Sequence, residues 1–141
     1  MDITTSTDYA WQGAHAPLPA YELTLAERSG SHLQPWQEVV WLPARGAGFV
    51  GVGARWTQGL TERLYASESV GAGVGFGSYE TRQFGSRGVF ALRGALGARI
   101  SERLSLEVFA EHWSNGSILR IYKAWPDVGL DAVGVGLRVR Y

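Results

Sequence analysis

A chain of 141 residues suits one domain with a modest core. Thirteen Lys and Arg balance thirteen Asp and Glu, and a formal charge of zero argues against a nucleic-acid binder, which would carry a basic face. There is no cysteine, hence no disulfide framework, thiolate metal site or cysteine nucleophile, and His15, His32 and His112 show no metal-ligand spacing.

Period-two alternation, not helical periodicity, runs along the chain and predicts strands with two different faces. The first three are the weakest, at 3–12, 19–27 and 36–43, with Pro17, Pro19, Pro35 and Pro43 near their ends, where strands tolerate proline. In 47–57, Val50, Val52, Ala54 and Trp56 oppose Gly51, Gly53 and Arg55. In 64–76, Leu64, Ala66, Val70, Ala72, Val74 and Phe76 share one face, broken by Glu68, and Tyr65, Ser67, Ser69 and three glycines share the other. In 88–100, Phe90, Leu92, Leu96, Ala98 and Ile100 oppose Arg93, Ala95, Gly97 and Arg99. In 103–114, Leu104, Leu106, Val108 and Ala110 oppose Ser105, Glu107, Phe109 and Glu111. The final strand sets Val133, Val135, Leu137, Val139 and Tyr141 against Ala132, Gly134, Gly136, Arg138 and Arg140.

Eight strands is the smallest even count of an outer-membrane barrel, and the whole chain, 1–141, is expected to form one eight-stranded antiparallel transmembrane β-barrel of up-and-down order. In that reading the apolar faces meet lipid and the small and charged faces point inward. Nineteen glycines, many inside strands, suit a narrow interior, and six Trp with six Tyr suit interfacial girdles. Arg55, Arg93, Arg138 and Arg140 against Glu107 and Glu111 would form an internal ion network. Short turns near 58–61 and 101–102, with long connections at 77–87 and 115–129, place both termini on the periplasmic side. No apolar run reaches the ~18 residues of a membrane-spanning helix. The start, Met1-Asp2-Ile3-Thr4, has no signal-peptide pattern, so export implies a mature chain whose signal has been removed. A soluble lipocalin-like barrel is the competing architecture, since alternation alone does not say which face is wet.

The stretch Glu111-His112-Trp113-Ser114-Asn115-Gly116 carries candidate chemistry. Residues two apart on a strand point the same way, so His112 and Ser114 are neighbours on the face of Leu104, Leu106, Val108 and Ala110. Polar groups at mid-membrane on that face are costly, but at the outer rim they reach a lipid headgroup. A serine nucleophile needs a base, and the base an orienting acid. Asp131 opens the last strand at the external end with lipid-facing parity, and adjacency of strands seven and eight brings it beside His112. Glu111 has the wrong parity, and Asp127 in the loop is the second choice. The competing interpretation makes His112 and Ser114 ordinary interfacial residues, Asp131 a strand opener and Asn115-Gly116 a plain turn.

His112-Trp113-Ser114-Asn115 resembles the His-x-Ser-Asn signature of the outer-membrane lipid A 3-O-deacylases, most strongly from about Leu64 to Tyr141. The resemblance implies an eight-stranded barrel that hydrolyses the ester-linked 3-hydroxyacyl chain of lipid A in the outer leaflet. Ser114 would be the nucleophile, His112 the general base and Asp131 the orienting acid, with the oxyanion held near Asn115 and Gly116. The chain departs from the family in having aspartate where glutamate is usual, and Asn115-Gly116-Ser117 in place of Asn-Ala-Gly. It also has a longer loop, which lacks an asparagine ahead of the acid. Lipopolysaccharide is the expected substrate and the outer membrane the expected location. No metal, cofactor or nucleic acid is expected, a homodimer stays open, and Arg120 and Lys123 read first as solvated loop charges, with contact to lipid A phosphates as the second reading. The alternatives are an outer-membrane phospholipase or esterase with the same triad, and a non-catalytic adhesive or structural barrel.

Overall fold

A computed structural model describes residues 1–11, 18–27, 32–77, 88–114 and 129–141. The strands are β1 (Asp2–Trp11), β2 (Leu18–Ala26), β3 (Leu33–Leu42), β4 (Ala47–Gly59), β5 (Leu64–Gly77), β6 (Gly88–Arg99), β7 (Leu104–Ser114) and β8 (Gly129–Arg140). They form a closed barrel in sequence order, every neighbour antiparallel, with β1 and β8 sealed from Asp2↔Arg140 to Trp11↔Asp131. Closure pairs every edge, which is the condition for strands to cross a bilayer.

The expected strands are all present. The largest revision is the start of β3, at Leu33 instead of residue 36, with Pro35 third in the strand and its carbonyl accepting from the Glu27 N–H at 3.0 Å. Pro43 opens a short 3-10 turn to Arg45, so the β3–β4 connection at the external end is short.

The faces fall as the alternation requires. Val50, Val52, Val70, Leu92, Leu96, Val108, Val133 and Val135 are exposed on the outer wall, an arrangement that suits hydrocarbon. Exposed aromatics mark both rims: Tyr9, Tyr21 and the stacked pair Trp41–Phe76 at the external end, Trp56 and Tyr141 at the other. Glu68 stands outward in this wall, paired across to Trp56 and Gly94.

The interior holds a charged layer with an apolar layer at its external end. Arg138 donates to Asp2 at 2.5 Å and to Glu107 at 3.3 Å, and Tyr65 Oη donates to Glu107 at 2.8 Å. Arg93 bonds Glu22, lies 3.6 Å from Glu111 and 3.8 Å from Glu107, and covers the Phe109 ring at 3.6 Å. The expected network is therefore present but larger, with Asp2 and Glu22 added from β1 and β2. Arg55 makes its hydrogen bond to Ser69, at 3.0 Å, and Arg140 only approaches Asp2, at 3.9 Å.

One glycine shows what the narrow interior demands. A Cβ on Gly97 would stand 2.1 Å from Tyr65 Cζ, so the ring occupies the space a side chain would need. Gly97→Ala is expected to lower barrel stability by about 1–3 kcal/mol through overpacking. Urea unfolding in detergent checks this, and an unchanged midpoint would mean that Tyr65 moves aside freely.

Candidate active site

β7 carries His112, half-exposed, and Ser114, buried, on the same outward parity at its external end, while Glu111 and Trp113 between and beside them point into the barrel. From inside, Trp113 meets Phe49 edge-on at 5.6 Å within an apolar cluster that includes Val40, Leu42, Val89 and Leu130. That packing braces the strand from behind at the level where its outer face is polar.

Across the seam, β8 presents Asp131 directly opposite His112 and Gly129 directly opposite Ser114. On the other side, Leu92 and Phe90 of β6 oppose His112 and Ser114. His112 Nδ1 lies 2.7 Å from Asp131 Oδ1. An ionised carboxylate only accepts, so Nδ1 is the donor in this bond, and in a neutral imidazole the lone pair then stands on Nε2. Nε2 is buried and has no hydrogen-bond partner among the described residues. Ser114 is only 3 % exposed. The structure thus pairs the expected base and acid and sets the expected nucleophile two residues further along the same face. Asn115, Gly116, Arg120, Lys123 and Asp127 lie outside the described residues.

Beside the pair runs an outer-wall groove of about 350 Å³, lined by Leu92, Gly94, Ala110, His112, Asp131 and Val133. Gly94 and Ala110 also line a second hollow of about 430 Å³ that reaches Leu96 and Val108. Two small residues paired across β6 and β7 thus thin the wall immediately below the histidine. The sequence reading did not single out this groove. Its only signal was glycine at a position where the outer face otherwise carries Leu92 and Leu96.

Carboxylates of Glu22, Glu38 and Glu111 lie within 4.8 Å of one another, the one group with metal-ligand spacing among the described residues. They face the lumen, on the opposite side of the wall from His112, with Arg93 among them.

The sequence model of lipid A 3-O-deacylase (PagL) matches residues 4–140. The chain belongs to the lipid A 3-O-deacylase family. Membership makes it an ester hydrolase of the outer membrane and decides against the soluble barrel. Among solved structures, the chain is similar to the outer membrane enzyme PagL, at TM-score 0.70 and 18 % identity, with all of both chains covered. It is also similar to Neisserial surface protein A, at TM-score 0.67 and 9 % identity over 99 % of this chain and 95 % of that one. A de novo designed transmembrane β-barrel matches at TM-score 0.63 and 12 % identity, over 98 % and 95 %. At these identities the likenesses speak for the fold. No curated protein sequence matches the chain.

Proposed function

We propose that this lipid A 3-O-deacylase family member cleaves the ester at the 3-position of lipid A in the outer leaflet, with Ser114 as nucleophile, His112 as general base and Asp131 as orienting acid. The observation that carries the reading is the 2.7 Å His112–Asp131 contact on the lipid-facing wall, at its external rim. There an imidazole can meet the ester region of a lipid without leaving the bilayer interface.

The chemistry follows serine-hydrolase logic. Ser114 Oγ attacks the ester carbonyl and His112 Nε2 takes the hydroxyl proton, while Asp131 holds the tautomer and stabilises the imidazolium. Backbone amides near Asn115 and Gly116 hold the oxyanion; removing one such donor costs about 2.7–4 kcal/mol. Collapse expels the sugar 3-oxygen, which takes the proton from His112. Water, deprotonated by the same nitrogen, then releases a 3-hydroxy fatty acid from Ser114. The acyl chain lies in the groove between Leu92 and Val133, over Gly94 and Ala110.

Purified protein in detergent, given lipid A and a diacyl phospholipid side by side, tests the substrate assignment. Release of 3-hydroxy fatty acid from lipid A alone is expected. Release from the phospholipid with lipid A intact would make the chain a phospholipase.

Asp131→Ala is expected to lower kcat by roughly 10⁴-fold, as loss of the acid does in related triads. Folding should persist, since the Asp131 side chain is 53 % exposed at a strand end. Retained activity, with loss instead in Asp127→Ala, would transfer the orienting role to Asp127.

A further inference from the structure

Gly129 has no side chain, yet it sits at the centre of the site. It lies opposite Ser114, as Asp131 lies opposite His112. A Cβ on Gly129 would stand 2.5 Å from His112 Cε1, 3.1 Å from Nε2 and 3.4 Å from Nδ1. The imidazole therefore does not project straight out from the wall. It leans along β8 toward the external end and lies over the bare Gly129 backbone, with Nδ1 still held by Asp131.

That lean joins two rows that the sheet keeps apart. Residues i and i+2 on a strand are separated by roughly 6.6 Å, too far for a histidine standing upright in its own row to reach a serine in the next. Tilted over Gly129, the Cε1–Nε2 edge enters the row of Ser114 while the opposite edge keeps its acid. The backbone itself does not ask for glycine here, because the described glycines with positive φ are Gly46 and Gly77. The ring does.

We propose that Gly129 is a positioning residue for the ester hydrolysis: its missing side chain is the seat that lets His112 keep Asp131 while its Nε2 edge turns into the row of Ser114. This rests on the proposed Ser114–His112–Asp131 assignment. A methyl group at 129 cannot move, being fixed to a strand hydrogen-bonded within the barrel, so the ring must rotate away. It then leaves the row of Ser114, loses its bond to Asp131, or both.

Gly129→Ala tests this in the detergent-folded full chain, with Gly59→Ala as control, since a Cβ there meets nothing within 4 Å. The expected result is a fall in kcat of about 100-fold, the scale of a 1 Å misplacement, with KM within about twofold of the parent. Labelling of Ser114 by a fluorophosphonate should slow in parallel. The low-field nuclear magnetic resonance signal of the His112 Nδ1 proton should shift or vanish. The unfolding midpoint should match that of the control. Parental kcat in Gly129→Ala, while Ser114→Ala is inactive, would overturn the seat and leave the triad standing. Activity in Ser114→Ala would overturn the triad itself. A raised KM with kcat intact would make position 129 a substrate contact instead, and failure to fold would show that the backbone demands the glycine. Either result sinks the proposal.

Discussion

Ser114→Ala is expected to lower kcat for the lipid A ester by about 10⁶-fold, the scale of nucleophile knock-outs in serine hydrolases. The barrel should still fold, because the hydroxyl lies outside the ion pairs of the lumen and the change removes one atom at the end of β7. Substrate affinity should hold, because the groove lined by Leu92, Gly94, Ala110 and Val133 is untouched. The variant is therefore expected to bind lipid A without turning it over, and to resist fluorophosphonate labelling. Activity within tenfold of the parent would remove Ser114 from the chemistry.

The second large effect concerns stability. Arg93→Leu is expected to destabilise the barrel by about 3–5 kcal/mol, the usual result of removing one partner from a buried ion cluster. Arg93 is 2 % exposed and is bonded to Glu22, with Glu111 at 3.6 Å and Glu107 at 3.8 Å. Leucine keeps much of the packing on Phe109 but takes the shared cation from Glu22 and Glu111, while Glu107 keeps Arg138. Adding Glu22→Gln should recover part of the loss, because removing both charges spares the penalty of an uncompensated one. Urea titration in detergent at neutral pH reads all three proteins. A single variant as stable as the parent would mean that the carboxylates are neutralised by something other than Arg93.

Much of this was readable from the residues alone, and unevenly so. β8 declared itself because from Ala132 onward each outward position, Val133, Val135, Leu137 and Val139, is apolar and each inward one is alanine, glycine or arginine. β1 did not, because Thr5 and Thr7 face outward while Thr4 and Ser6 face inward, so polarity barely alternates. For the same reason Asp2 was missed as an ionic partner, since an inward carboxylate stands out only against an apolar outer row; Glu22 does stand against one, Tyr21, Leu23 and Leu25, and was overlooked. Parity with strand adjacency was enough to set Asp131 beside His112, since direct cross-strand pairing fixes that contact. The tilt of the imidazole over Gly129 was not readable. It depends on which way a ring rotates above the sheet, and no periodicity encodes that.

The mass spectrum of lipid A from cells producing this chain, compared with cells producing Ser114→Ala, tests the proposed activity most directly. Loss of one 3-hydroxyacyl group with the parent chain, absent with the variant, is the expected result. Lipid A of unchanged mass in cells whose outer membrane holds the folded barrel would contradict it.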